Sequence, residues 1–108
     1  MIIGLHFNKE SEIRILDESV QYFLKKRFML PSVYINQLRC MESTRLVKDR
    51  WERWIRVFNP FLAKSHGYTI RTSADLDEHP SSVLFEGYMR SNGEVYMADR
   101  RQPKHIQG

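Results

Sequence analysis

The strongest constraint on the fold is the Asn92-Gly93 dipeptide, which lies between two stretches rich in β-branched and aromatic residues. Asn-Gly readily adopts the positive φ angles of a type I′ turn, so the stretch predicts a β-hairpin. A two-residue turn would place Ser91 opposite Glu94 and, further along, Glu86 opposite Asp99. Side chains alternate along a strand, so this register also predicts two distinct faces.

The two faces of the predicted hairpin differ in composition. The residues expected to enter the core are Val83, Phe85, Gly87, Met89, Tyr96 and Ala98. The residues expected on the other face are Leu84, Glu86, Tyr88, Arg90, Val95, Met97, Asp99 and Arg101. A mixture of aromatic residues, arginine and methionine is typical of interaction surfaces. An ordinary solvated sheet face is the alternative interpretation.

The segment 45–58 contains both tryptophans of the chain and four arginines. At about 100° per residue, its apolar residues share one side of a helix. These residues are Val47, Trp51, Trp54 and Phe58. The acids precede bases at i,i+4 spacing in Asp49–Arg53 and Glu52–Arg56, which matches the charges on the outer side. We therefore predict a core helix with inward indoles, on which Arg50 either stacks on Trp54 or anchors a partner.

The order of the remaining elements predicts the fold class. They are a strand at 2–7, a helix at about 9–29 capped by Asn8, a segment at 32–42 that fits a short helix or a strand, a helical turn starting at Asn59-Pro60, a strand at 68–72 and a loop at 73–82. This order predicts an α+β domain, with two or three helices packed on one face of a small, mostly antiparallel sheet that ends in a β-hairpin. Residues 1–101 would form this single domain, and residues 102–108 a flexible basic tail.

Composition restricts the environment and the partners. The formal net charge of +4 is a modest basic excess that favours anionic partners without identifying them. Cys40 is the only cysteine, so no intrachain disulfide can form and a reducing compartment is expected. The sequence has no signal-peptide pattern and no apolar run of about 18 residues. We expect a soluble cytoplasmic protein that does not contact a membrane.

No catalytic or cofactor motif is recognisable in the sequence. It has no glycine-rich phosphate loop, paired-cysteine metal site, nucleophile elbow or HExxH motif. We therefore expect a protein that is not an enzyme and that needs no metal or cofactor. The one catalytic alternative is a metal-dependent hydrolase that uses Glu86 and Asp99, because two carboxylates placed across a sheet can share a cation or a proton.

The leading hypothesis is a small non-catalytic binding protein, an inhibitor or adaptor that docks on a macromolecule. A protein partner is preferred because the charges are intermixed, and components of nucleic-acid machinery are one class of candidate. The predicted partner-binding residues are Tyr88, Arg90, Val95, Met97, Arg101 and Arg50. The alternative is direct binding of DNA or RNA. The residues predicted for that role are Arg90, Arg101, Lys104, Arg53 and Arg56. The oligomeric state stays open.

Overall fold

The computed structural model describes residues 12–101. Its elements are β1 (Arg14–Ile15), α1 (Glu18–Phe28), α2 (Ser32–Ile35), β2 (Arg39–Val47), β3 (Arg50–Phe58), α3 (Pro60–Ser65), α4 (Ser73–Glu78), a 3-10 turn (Pro80–Ser82), β4 (Val83–Arg90) and β5 (Val95–Asp99). The strands form one antiparallel sheet in the order β1-β2-β3-β4-β5. The α+β class and the C-terminal hairpin are confirmed. The strand predicted at 2–7 and the tail predicted at 102–108 lie outside the described residues.

The helix predicted over 45–58 is wrong, because this segment belongs to the β2–β3 hairpin. Val47 pairs with Arg50 across a turn formed by Lys48 and Asp49, whose φ angles are 50° and 66°. Positive φ at both central positions is the signature of a type I′ turn, which usually carries Asn and Gly. The i,i+4 ion pairs expected from a helix therefore do not form. The inward position predicted for both indoles is also wrong, since Trp51 is 56% exposed.

The Lys48-Asp49 turn leads to a prediction for stability. A residue with a Cβ atom in the left-handed region costs roughly 1 kcal/mol relative to glycine, and asparagine tolerates this region better than lysine does. The double substitution K48N/D49G should therefore raise the free energy of unfolding by about 1 kcal/mol, as measured by urea denaturation. The same substitutions would be neutral or destabilising if the turn did not hold both residues at positive φ.

The helices α1 and α2 pack on one face of the sheet, here named the α1 face. The strand residues buried on it include Cys40, Ile55, Val57, Phe85, Met89 and Met97. The helix α1 starts later than predicted, because the carboxylate of Asp17 accepts a hydrogen bond from the backbone N–H of Ser19 at 3.1 Å and caps it. The cap predicted at Asn8 lies outside the described residues. The ambiguous segment 32–42 contains both predicted alternatives, first α2 and then the start of β2.

The helices α3 and α4 cover one end of the opposite face. Their buried cluster with the sheet comprises Met41, Phe58, Ala63, Ile70, Leu76 and Val83. The predicted Asn59 cap is confirmed, since its side-chain oxygen accepts from the N–H groups of Phe61 at 2.9 Å and Leu62 at 3.1 Å. The strand predicted at 68–72 is absent among the described residues. The loop predicted at 73–82 is wrong, because Thr72 and Asp75 form a capping box that starts α4.

The second half of the opposite face is left without a covering helix among residues 12–101. Both α3 and α4 are six residues long and lie near the end of the sheet that carries Met41 and Phe58. None of the helices described in residues 12–101 has the length and apolarity needed to span a bilayer.

The thiol of Cys40 should be inert in the folded protein. Burial, with a smaller contribution from the Glu42 carboxylate, raises the pKa of Cys40 to about 12. A thiol-disulfide reagent at pH 8 should therefore react with the native protein at least about 100-fold more slowly than with the urea-unfolded chain. Because the pKa is higher in the folded state, the thiol should favour folding below pH 9. That contribution should decrease as the pH rises from 9 towards 12, a decrease that Cys40→Ala would remove.

Candidate binding surface on the sheet

The register of the C-terminal hairpin differs by one residue from the prediction. Tyr88 pairs with Tyr96, and Met89 pairs with Val95. The N–H of Gly93, which has a φ of 91°, donates to the carbonyl of Arg90 at 2.9 Å. These features define a three-residue loop that ends in a glycine bulge, the second common type of hairpin. A slip of one residue moves every side chain of one strand to the other face.

The slip corrects several predicted site residues on β5. Val95 and Met97 do not share the face of Tyr88 but turn towards α1, and Met97 is only 8% exposed. Arg101 also lies on that side, where its guanidinium carbon is 5.0 Å from the centre of the Phe85 ring. Tyr96 was predicted for the core, yet it lies beside Tyr88 on the opposite face. The predicted grouping of Val95, Met97 and Arg101 with Tyr88 is therefore wrong.

The uncovered part of the opposite face carries a distinct group of side chains, here named the open face. Its members are Arg45, Glu52, Trp54, Tyr88, Arg90 and Tyr96. Trp54, Tyr88 and Tyr96 occupy directly paired positions on β3, β4 and β5, so their rings form a row across the sheet. Arg90 and Tyr88 were predicted for this surface, and Arg50 lies at its border in the position paired with Val47.

The three rings of the open face cover one another. The ring centres of Trp54 and Tyr88 are 4.9 Å apart with planes inclined by 35°, and those of Tyr88 and Tyr96 are 5.1 Å apart with planes inclined by 31°. Rings lying flat on the sheet side by side could not approach so closely, so the rings must stand largely face to face. The row therefore points ring edges outwards, and Tyr96 at its end is 44% exposed.

Two arginines pack against this row. The guanidinium carbon of Arg45 lies 4.5 Å from the centre of the Trp54 ring. That of Arg90 lies 5.5 Å from the Tyr88 ring and 5.4 Å from the Tyr96 ring. The row thus combines apolar rings with two positively charged guanidinium groups.

A buried carboxylate, that of Glu52, contacts two members of the open face. Glu52 is 6% exposed, and its Oε1 accepts a hydrogen bond from Nε1 of Trp54 at 3.1 Å. Its Oε2 lies 3.6 Å from Nε of Arg90, which forms an ion pair without a hydrogen bond. At the exposed end, the hydroxyl of Tyr96 donates to Oε1 of Glu94 at 3.2 Å. The charge of Glu94 and the hydrogen bond to it raise the pKa of Tyr96 above its ordinary value.

A small pocket of about 140 Å³ adjoins the row. Its lining includes Met41, Ser43, Arg45, Trp54, Arg56 and Glu86. The Oγ of Ser43 is buried and has no hydrogen-bond partner among the described atoms. Arg56 reaches Asp77 of α4 at 2.7 Å, which ties the pocket to the helix-covered end of the sheet. The pocket has the size of one side chain of a partner and offers it polar contacts.

The residues predicted to contact nucleic acid do not form one surface. Arg90 and Arg56 are on the opposite face, whereas Arg53 and Arg101 are on the α1 side, and Lys104 lies outside the described residues. Of the residues predicted to contact nucleic acid, the four arginines that lie within residues 12–101 each have a carboxylate partner. Arg53 lies 2.9 Å from Glu42, Arg101 2.7 Å from Asp99, Arg56 2.7 Å from Asp77 and Arg90 3.6 Å from Glu52. Their charges are therefore largely matched within the fold.

The carboxylate pair predicted for a hydrolase does not form. Glu86 pairs with Ala98, and Asp99 pairs with Phe85 on the α1 side, so the two carboxylates point to opposite faces. Hydrogen bonds from the Arg101 side chain hold the pKa of Asp99 below its ordinary value. Among residues 12–101, no group of three histidine, cysteine or acidic side chains is placed to hold a metal ion. The predicted placement of Glu86 opposite Asp99 is therefore wrong.

Sequence reasoning missed Arg45, Glu52, Trp54 and Tyr96 as members of one surface. The available signal was the period of two in β3, where Glu52, Trp54 and Arg56 alternate with Arg53 and Ile55.

Comparison with known proteins adds no assignment, since no protein-family model, curated protein or solved structure matches the chain.

Proposed function

We propose that the chain is a small non-catalytic binding protein that docks on another protein through the open face. The observation that carries this proposal is the row of Trp54, Tyr88 and Tyr96 flanked by Arg45 and Arg90. Tryptophan, tyrosine and arginine are the residues that most often dominate the binding energy of protein interfaces. Here they are half-buried and already in contact with one another, an arrangement that reduces the entropy lost on binding.

The stacking geometry favours a protein over a nucleic acid. Single-stranded nucleic acids bind by laying bases on free aromatic faces, with unmatched cations along the backbone. In the open face, the rings use their faces for one another, and the Trp54 ring also contacts Arg45. Glu52 and Glu94 also lie within 3.6 Å of Arg90. Outward ring edges beside matched charges suit the mixed apolar and polar groups of a protein surface.

The same features support a role as an inhibitor or adaptor of an acidic partner. The net charge of +4 favours encounter with a negatively charged surface, and complementary charge mainly increases association rate and selectivity. Arg45 and Arg90 place positive charge beside the aromatic row on this face. Components of nucleic-acid machinery are one class of protein with such surfaces.

A comparison of captured proteins tests the proposal. The tagged full chain is incubated with extract of its source cell, with and without nuclease, alongside the variants Tyr88→Ala and Phe61→Ala. Phe61 is 61% exposed on α3, away from the open face, and serves as the matched aromatic control. A partner protein should remain after nuclease treatment on the wild type and on Phe61→Ala. Its affinity for Tyr88→Ala should be about 30-fold lower, the effect of a strong interface residue.

Two outcomes would contradict the proposal. Recovery that disappears with nuclease would indicate that nucleic acid is the ligand. Equal affinity of wild type and Tyr88→Ala for the purified partner would show that docking uses another surface. Circular dichroism of Tyr88→Ala would establish that the variant is folded.

A further inference from the structure

We propose that the outer edge of β5 accepts an extended acidic segment of the partner as an additional β-strand. The inference deepens the proposed function and rests on it, because this edge borders the open face at Tyr96. The edge of β5 would bind the backbone of the partner, whereas the open face would bind its side chains. The two contacts can therefore be tested separately.

The backbone N–H and C=O groups of successive β5 residues point alternately towards β4 and towards the outer edge of the sheet. The N–H of Arg90 donates to the carbonyl of Glu94 at 2.9 Å, and the N–H of Arg100 donates to the carbonyl of Leu84 at 2.7 Å. In an antiparallel ladder, every second residue directs both backbone groups to the same neighbour. The intervening residues of β5, which are Val95, Met97 and Asp99, therefore direct theirs to the outer edge. No strand among residues 12–101 pairs with that edge.

Two adjoining grooves run beside this edge and share Phe23, Arg27 and Val95. One groove, of about 680 Å³, also includes Tyr22 and Lys26 of α1. The other, of about 530 Å³, extends along β5 to residues that include Tyr96 and Met97. The side chains of an added strand alternate between its two faces, so one set would enter the grooves and the other would lie near the open face.

The charges of the 680 Å³ groove favour an acidic occupant. The carboxylates nearer the edge each lie beside an arginine, namely Glu86 by Arg100, Glu94 by Arg90 and Asp99 by Arg101. Lys26 and Arg27 line the 680 Å³ groove with Glu18 as the single carboxylate among its described lining residues. Neither cation has an ion-pair partner within residues 12–101. Phe23, Tyr22 and Val95 supply the apolar contacts. A second copy of this chain is a poorer occupant, since each copy has a net charge of +4.

The probe for this proposal is a blocked eight-residue peptide that alternates valine and glutamate. A second peptide of the same sequence, N-methylated at alternate residues, cannot form the ladder. The full chain is compared with Val95→Pro and with the control Val95→Ala. Proline removes the outward N–H of Val95 without removing a bond to β4, as edge strands tolerate. Both variants lose the valine side chain, so their difference isolates the backbone.

Binding is measured from the amide NMR shifts of the full chain, which report affinities in the millimolar range. The wild type, Val95→Ala and Tyr88→Ala should bind the unmethylated peptide, with the largest shifts at Met97 and Asp99. The affinity of Val95→Pro, and that of the wild type for the methylated peptide, should be at least about tenfold lower. Peptide binding by Tyr88→Ala would show that the edge of β5 acts independently of the open face. Failure of the proposed open-face function would be seen instead in the capture experiment.

Two results would overturn the inference. Equal peptide affinity of Val95→Pro and Val95→Ala would show that the peptide does not pair with the edge. Slow hydrogen exchange of Met97 and Asp99 in the free protein would show that the edge is already paired. Its partner would then be another part of the chain or a second copy, which dilution would distinguish.

Discussion

Replacement of Gly87 by alanine is expected to lower the free energy of unfolding by about 3 kcal/mol, the upper part of the range for overpacked sites. A Cβ atom at this position would lie 1.8 Å from the carbonyl oxygen of Tyr96 and 2.7 Å from Cα of Met97. Both atoms belong to the β5 backbone, so no side-chain rotation can relieve the clash. The two strands must separate, which weakens both the ladder and the packing of β5 against α1. The melting temperature should decrease by about 15 °C.

The control for Gly87 is Gly67→Ala. Gly67 has a φ of 96°, and within residues 12–101 no atom beyond its own residue and its two chain neighbours lies within 4 Å of the position of its Cβ. Alanine there should cost only the strain of the left-handed region, about 1 kcal/mol. Urea denaturation of both variants measures the difference. Equal losses would contradict the close approach of β5 to Gly87.

The role of Gly87 also shows where sequence reasoning fails. The two-residue turn predicted from Asn92-Gly93 places Gly87 opposite Ala98 on the core face. Gly87 faces Met97 instead, and its missing side chain accommodates the neighbouring backbone. The hairpin itself was predictable, because Asn92 and Gly93 tolerate positive φ. The register was not, since Asn-Gly fits both a two-residue loop and a three-residue loop with glycine at the bulge.

The β2–β3 hairpin could not be predicted from the sequence for a related reason. Residues 45–58 have apolar residues at spacings that fit a helix, and local propensity cannot exclude it. The turn consists of Lys48 and Asp49, which give almost no turn signal. What decides for strands is the pairing of β3 with β4, a contact between distant parts of the sequence. The sequence pattern of one segment does not contain the free energy of pairing with a distant strand.

The candidate site was accordingly predicted in part. Tyr88 and Arg90 were identified because they lie on a strand whose alternation is independent of the hairpin register. Tyr96 was assigned to the wrong face because its position depends on that register. Trp54 was assigned to a helical core because the β3 strand was not recognised. The row of rings combines three strands, so it could be found only after two registers were known.

Replacement of Glu52 by alanine is expected to lower the free energy of unfolding by about 2 kcal/mol, because it removes the buried hydrogen-bond acceptor of Trp54 and the charge opposite Arg90. The carboxylate is 6% exposed and binds Nε1 of Trp54 at 3.1 Å, while its second oxygen lies 3.6 Å from Arg90. Glutamine keeps an acceptor for the indole but loses the charge opposite Arg90, so Glu52→Gln should lose about half as much. The indole N–H resonance of Trp54 should shift far more in the alanine variant than in the glutamine variant.

The matched control is Glu94→Ala, because Glu94 also lies 3.6 Å from Arg90. Its side chain is 49% exposed, whereas that of Glu52 is 6% exposed. An exposed ion pair contributes less than about 1 kcal/mol, since water solvates both charges when the pair is broken. Glu94→Ala should therefore change the free energy of unfolding by no more than about 0.5 kcal/mol. Equal losses in the two alanine variants would show that the burial of Glu52 is not the source of the effect. In that case Glu52 would not be the residue that holds Trp54 and Arg90 in position for a partner.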